Sequence, residues 1–433
     1  MEHYNINYEI VKQINTIREW FRNNKFIVWG TGELCQYYIK KNRLILGYIE
    51  LFIDSECQKH NKFFNDIKIC SPESINDLGN DYIFVCGSDK YYNEIREQLI
   101  HTYNIKEENI MMINQWFEKM MIYGIVPPTR MRLEVSTMCQ LKCTECYMRK
   151  NQYGTLGCGN LRIDDFRKII EENEYLEEIE ISNSGEVFLN PDLVEILDEA
   201  SKKNIKITIK NGVNFNNVSD EQIEALVKYN VTEITFSIDG ATQKVYQTYR
   251  NGGDINKVID NIKKLNITKK KYNSEMPKLK WQFILMPHNI CEINEAKKIA
   301  DDLDMIFDIK LNWDNEIIFC DEVKKITGMK YVTRKQYNEE HEIDYGNACA
   351  QFIMTPQFNW DGRMLGCCQI FMEDFGFNIL ETKLIDIVND IRTIYIRKFL
   401  MEKFEDINSN YYFPCKKCEH YLHMKKRGGK ILI

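Results

Sequence analysis

Short apolar runs that end on small or turn-forming residues alternate with amphipathic stretches along most of this chain. From Lys25, the run Phe26-Ile27-Val28-Trp29 leads into Gly30-Thr31-Gly32, which reads as a buried strand entering a glycine turn, and the residues through Lys41 then carry helical periodicity. Ile49–Ile53 is a second strand ending at Asp54, and Tyr82–Cys86 is a third, followed by the small-residue turn Gly87-Ser88. Asp54 stands about where a dinucleotide fold holds a ribose. Cys35 takes the place of the third glycine of that fingerprint, which leaves nucleotide binding and a structural or docking role both open. Residues 1–117 are therefore predicted to form a Rossmann-like α/β domain.

Pro127-Pro128 stops any preceding helix, and the pattern then changes. Six strand-like runs follow: Arg132–Thr137, Glu178–Ser182, Ile205–Lys210, Glu233–Ile238, Leu279–Met286 and Ile306–Leu311. Helical stretches separate them near Asp164–Asn173, Asp220–Tyr229, Ile255–Leu265 and Ile293–Leu303. That period predicts a partial (β/α)6 TIM-type barrel over 125–320. From about Tyr345 the alternation fails and cysteines become frequent, so 345–425 is expected to be a smaller region organised by metal.

Charge narrows the partners. The 57 Lys and Arg against 64 Asp and Glu give a net charge of −7, which repels a phosphate backbone, so nucleic acid is excluded as a partner at this stage. Lys269–Lys271 and Lys425–Arg427 are short clusters, read as solvated surface. No signal-like stretch opens the chain at Met1–Ile10 and no apolar run is long enough to span a bilayer, so no membrane association is expected. Fifteen cysteines in such a chain point to a cytoplasmic protein without structural disulfides.

Three of those cysteines carry the sharpest signal. Cys139, Cys143 and Cys146 lie on one short loop after the first barrel strand, at the mouth where barrels keep their chemistry. Three thiolates on a four-iron cube leave one iron open, as a catalytic site requires. A zinc knuckle is the alternative on the same residues. The spacing resembles the signature of the radical S-adenosylmethionine (SAM) superfamily, with Glu145 where that family usually has an aromatic residue and Tyr147 following. The resemblance implies a [4Fe–4S] cluster whose open iron chelates SAM, and a 5′-deoxyadenosyl radical that abstracts hydrogen from a substrate. It also implies SAM contacts from Ser184, Gly185 and Glu186 after the second strand, Asn211 after the third, and Ser237, Asp239 and Arg250 at and beyond the fourth. A flavodoxin or ferredoxin is the electron donor expected of the family.

Downstream, Cys349, the pair Cys367-Cys368 and Cys415-Lys416-Lys417-Cys418 surround a hairpin turn at Asn359–Gly362. This layout resembles the SPASM or shorter twitch extension of many radical SAM enzymes, which implies an auxiliary [4Fe–4S] cluster on Cys349, Cys367, Cys415 and Cys418. Zinc on the same four thiolates remains the competing reading. Phe236–Tyr246 and Trp281-Gln282-Phe283 look similar to members that modify glycans, so the expected substrate is a small molecule, a sugar or nucleotide-sugar to be epimerised, oxidised or deoxygenated. An epimerase needs a hydrogen donor, for which Cys368, Cys320 and Cys158 are candidates, each with core packing as the plainer role. Peptide maturation is the second reading of function, and a non-catalytic iron–sulfur redox protein the third.

Overall fold

Six strands build the first unit of the computed structural model: Lys25–Trp29 (β1), Ile49–Ile53 (β2), Phe63–Phe64 (β3), Ile67–Cys70 (β4), Tyr82–Cys86 (β5) and Ile110–Met112 (β6). The structure describes every residue except 1–5, 7, 79–81, 151–153, 313–320, 332, 342–346, 371, 402–410 and 427. The strand order is β3-β4-β2-β1-β5-β6, parallel except for the short β3–β4 pair. Ile27, Trp29, Ile53, Phe84, Cys86 and Leu99 meet in its core, as the apolar runs of the sequence require. Helices Tyr8–Asn23, Glu33–Lys41, Tyr92–His101 and Ile113–Ile122 complete the α/β pattern.

Asp54 has its carboxylate occupied by the protein itself. Thr31 donates to it through both its backbone N (3.1 Å) and its hydroxyl (2.6 Å), Glu56 N at 3.0 Å and Lys59 Nζ at 3.1 Å. Burial pushes this carboxyl upward, yet the donors together hold it below the usual range. Cys35, at the vacant glycine position, is fully buried, and burial beside Asp54 pushes its thiol up to about 12. Helices Leu384–Asn389 and Ile391–Met401, within the stretch read from sequence as the cysteine-rich region, fold with this first unit. There Arg397, wholly buried, donates to Met121 O at 3.0 Å.

Residues Arg130–Lys383 and Phe413–Leu432 form the second unit. Arg130–Leu133 (β7), Glu178–Glu180 (β8), Lys206–Val213 (β9), Glu233–Ser237 (β10), Lys278–Ile284 (β11) and Ile306–Lys310 (β12) are the six strands legible in the sequence. Each pairs in parallel with the next. Gln357–Phe358 (β13) extends the sheet beside β7 and Met364–Gly366 (β14) turns back against β13, so the hairpin of the cysteine-rich region is continuous with the barrel strands. The eight-stranded sheet is open. Helices Ile163–Glu172, Leu193–Lys202, Asp220–Lys228, Ile255–Lys271 and Ile293–Asp302 connect the strands. The third of these starts with a capping box between Ser219 and Gln222, a device worth about 1 kcal/mol.

Parallel strands covered on both faces read as continuous apolar runs. These strands alternate instead. Met131, Leu133, Ile179, Ile207, Ile209, Ile234, Phe236, Trp281 and Phe283 are buried on one face, whereas Arg132, Glu180, Thr208, Ser237 and Gln282 occupy the other.

Candidate metal and cofactor site

The three-cysteine loop follows β7 and is held at three places. Glu186 N donates to Met138 O (2.7 Å), Lys142 N to Asn251 O (2.7 Å) and Thr144 N to Tyr249 O (3.2 Å). Gly185 lies so close to the backbone at Ser136 that a Cβ would stand 2.0 Å from its carbonyl oxygen, so only glycine lets the strand end approach the loop. Cys139, Cys143 and Cys146 are near enough that their thiols influence one another. Burial pushes Cys139 up to about 12, with Glu186, Cys143 and Cys146 adding to the rise. Burial also raises Cys143, while Arg250 opposes it.

Two side-chain donors reach the sulfurs: Arg250 Nη1 to Cys143 Sγ at 3.8 Å and Asn214 Nδ2 to Cys139 Sγ at 3.7 Å. Asn214 N also donates to Glu186 Oε2 at 2.8 Å. Glu186 Oε1 finds no donor among the described residues, although the side chain is buried. Burial raises the Glu186 carboxyl to about 7, and backbone donors with Arg250 only partly offset it. A buried oxygen left over in this way costs free energy unless a ligand supplies the missing donor.

Asp239, fully buried, spends its carboxylate on Arg250 and on Ile284 N (2.8 Å), so it positions the guanidinium. Asn211 turns away from the cysteines: its amide donates to Asn183 Oδ1 at 3.1 Å and its backbone N to Ser182 Oγ at 3.1 Å. The asparagine beside Cys139 is Asn214, which the sequence reading missed because β9 runs on through Val213 instead of stopping at Lys210. Gly212, at φ +103°, permits that continuation, and a Cβ there would lie 2.2 Å from Ser237 Oγ. Ser184 lies near the buried Glu134, whose two carboxyl oxygens find no hydrogen-bond donor among the described residues.

The second cysteine group also comes together. Cys349 lies on helix Ala348–Met354, Cys367 follows β14, and Cys415 and Cys418 lie in and just after the short turn Pro414–Lys417. Cys415 is buried against Cys367, Cys349 and Cys418, which together with desolvation push its thiol well up. Burial raises Cys367 to about 12, with Cys368 and Cys418 adding to the rise. Cys368, whose backbone N donates to Gln351 Oε1 at 3.1 Å, faces Lys310. Cys158 is exposed, and Cys320 lies outside the described residues. Among the described residues no three His, Cys, Asp or Glu side chains close on one point as ligands of a single ion do. On a cube each thiolate binds a different iron, so its ligands stand apart.

Trp360 joins the two regions. Its Nε1 donates to Leu156 O at 3.0 Å, and Asn359 Nδ2 reaches the same oxygen at 2.9 Å. Beside them Met148, Leu156 and Leu365 form a small apolar core against which Cys146 packs.

Residues 133–277 match the family model described as the radical SAM superfamily, and residues 22–111 match a second described as C2185-like, N-terminal. Among curated proteins, the chain is similar to the mycofactocin maturase MftC of Mycobacterium ulcerans (strain Agy99), 23% identical over 181 residues, covering 41% of this chain and 46% of that protein. It is also similar to the antilisterial bacteriocin subtilosin biosynthesis protein AlbA of Bacillus subtilis (strain 168), 29% identical over 127 residues, 28% of this chain and 27% of that protein. The match thus spans less than half the length of either relative. Among solved structures, Streptococcus suis SuiB bound to S-adenosylmethionine aligns with a TM-score of 0.50 at 14% identity, over 77% of this chain and 83% of that one. This likeness concerns the fold. The radical SAM superfamily uses a [4Fe–4S] cluster and SAM, and the residues around Cys139 fit both. No helix among the described residues is long and apolar enough to cross a membrane.

Proposed function

We propose that the chain is a radical SAM enzyme acting on a peptide. The observation that carries this reading is the meeting of three loop cysteines with the donor-less Glu186 Oε1 and the half-buried Arg250. Cys139, Cys143 and Cys146 would hold the catalytic cluster. Glu186 Oε1 would accept the ammonium of SAM, and Arg250, steadied by Asp239, would present its guanidinium to the carboxylate. Asn214 would donate to the cluster-bound sulfur of Cys139. When bound, cluster and SAM supply a 5′-deoxyadenosyl radical able to take a hydrogen atom from an unactivated carbon. Cys349, Cys367, Cys415 and Cys418 would hold an auxiliary cluster.

The sugar or nucleotide-sugar substrate expected from the sequence gives way to the peptide reading, because the two curated relatives are named for maturation and for bacteriocin biosynthesis. With that change Cys368 loses its motive as an epimerase hydrogen donor. The test is anaerobic reconstitution with iron and sulfide, then 5′-deoxyadenosine formation under dithionite with SAM, comparing short peptides with nucleotide-sugars. Stimulation by peptides supports the reading, stimulation by nucleotide-sugars reverses the substrate class, and bound zinc with no deoxyadenosine removes the enzyme.

A further inference from the structure

The polar face of the second sheet carries two cations, Arg132 and Lys310, with N–H donors left over. Arg132, on β7, is buried, and its Nε donates to Asn183 Oδ1 at 2.8 Å. Among the described residues its two Nη groups find no acceptor, although a guanidinium has five donors to place. Lys310 ends β12, and its Nζ donates to Gln282 Oε1 at 2.9 Å without an ion-pair partner among the described residues. Gln282 lies opposite Ser237 on one side and Asp308 on the other, so all three share the face of Arg132 and Glu180. Burial and the guanidinium of Arg334 hold the Lys310 ammonium below its usual range, Arg132 adds to this, and Asp308 and Cys368 oppose it.

Of the acids nearby, Glu180 and Glu134 make no ion pair with Arg132, and Asp308 acts on Lys310 without pairing with it. Glu180 accepts from Ser182 N and Oγ, Thr208 Oγ1 and Lys210 N, which fills both of its oxygens. Glu134 is raised to about 8, chiefly by burial, so at neutral pH it is mostly the uncharged acid. Arg132, buried, and Lys310, half-buried, therefore share this face with Glu180 and Asp308, yet neither cation is ion-paired among the described residues, which leaves N–H donors to offer an incoming anion. Their location gives that anion a place. Asn183, the partner of Arg132, is two residues from Gly185 at the first cysteine loop, whereas Lys310 neighbours Cys368, next to the second group.

We propose that Arg132 and Lys310, oriented by Asn183 and Gln282, form a subsite that takes a carboxylate of the substrate between the two cysteine groups. On the peptide reading, on which only the origin of the carboxylate rests, this is an Asp or Glu side chain or the C-terminus. A planar fork and a point charge suit a carboxylate. No residue of this subsite belongs to the SAM contacts described above.

Calorimetric titration of the reconstituted full chain with glutarate tests it, because binding needs no turnover. Wild type binds glutarate, Lys310→Gln and Arg132→Gln bind at least about tenfold more weakly, and Lys310→Arg keeps most of the affinity. Lys210→Gln, whose ammonium is paired with Glu178 at 2.9 Å, binds like wild type. Equal affinity in wild type and Lys310→Gln, or no binding to wild type, overturns the subsite. Tighter binding of inorganic phosphate than of glutarate overturns the carboxylate assignment. Should Lys310→Gln fold poorly, Lys310→Met and the glutarate-induced rise in wild-type Tm replace it: a rise in wild type but not in the Met variant supports the subsite, and equal rises overturn it. Peptides in which acidic side chains are amidated, or the C-terminus is, then separate the two sources by which one loses its stimulation of deoxyadenosine formation. Failure of wild type to make deoxyadenosine would sink the proposed function and leave the glutarate result standing.

Discussion

Asp239 Oδ2 accepts from both Nε and Nη2 of Arg250, each at 2.7 Å, while Oδ1 accepts from Ile284 N. The carboxylate thus ties the segment after the fourth barrel strand to the fifth strand, and Arg250 to both. Arg250 in turn reaches Cys143 Sγ, and its charged form is strongly favoured by Asp239.

Replacing Asp239 by Asn should free the guanidinium without removing it. Breaking one side of a buried pair costs about 3–5 kcal/mol, so a lower Tm is expected together with a KM for SAM raised about tenfold or more. Iron counted after reconstitution should stay at the wild-type value. Loss of the first cluster's iron instead would assign Asp239 to the loop itself.

Glu186→Gln keeps the shape of the side chain and removes the charge available to an incoming ammonium. A charge-assisted hydrogen bond is worth about 1.5–3 kcal/mol, so SAM should bind about ten- to a hundredfold more weakly. Equilibrium binding of SAM to the oxidised, reconstituted protein measures this directly. Unchanged affinity would place the ammonium elsewhere.

Asn214→Ala removes an N–H donor from Cys139 Sγ. Hydrogen bonds to sulfur stabilise the more negative, reduced cluster, so the midpoint potential of the first cluster should fall while that of the second stays put. Potentiometric titration followed by electron paramagnetic resonance reads both. An unshifted first potential would reduce Asn214 to a packing role.

In the first unit, Asp54 supplies a pH test. Its pKa in the folded chain is lowered, so the stability it provides is fully present above the unfolded carboxylate value, near 3.9, and is lost as pH falls through the folded value. Asp54→Asn should therefore weaken amide-exchange protection of β1 and β2 at pH 7 by roughly 1–2 kcal/mol. The gap to wild type should narrow in acid. A gap independent of pH would mean that shape, not charge, holds the Thr31 turn.

Much of this was legible because it is local. Cysteine spacing, apolar runs and glycine turns lie within a few residues of one another, so Cys139–Cys146 and the six strands β7–β12 could be drawn directly. The misses have long-range causes. Asn211-Gly212 has turn chemistry, yet the chain continues as a strand there because Gly212 fits against Ser237, 25 residues on, and this moves the loop contact to Asn214. Strand β13 is two residues long, too short for any periodicity, and exists through its pairing with Arg132 and Leu133. Helix Ile391–Met401 owes its place to contacts such as Arg397 with Met121, which no sequence window spans. Lys310 belongs to no sequence motif, and Gln282 comes beside it only through the pairing of β11 with β12.

The alternation of the second sheet has a calorimetric consequence. A face carrying Arg132, Glu180, Thr208, Ser237 and Gln282 is buried yet polar, so a ligand entering there meets hydrogen-bonding groups and covers little hydrocarbon. Its heat-capacity change should be small and its binding enthalpy favourable. A greasy ligand would gain little on that face, which period-two patterning has made polar.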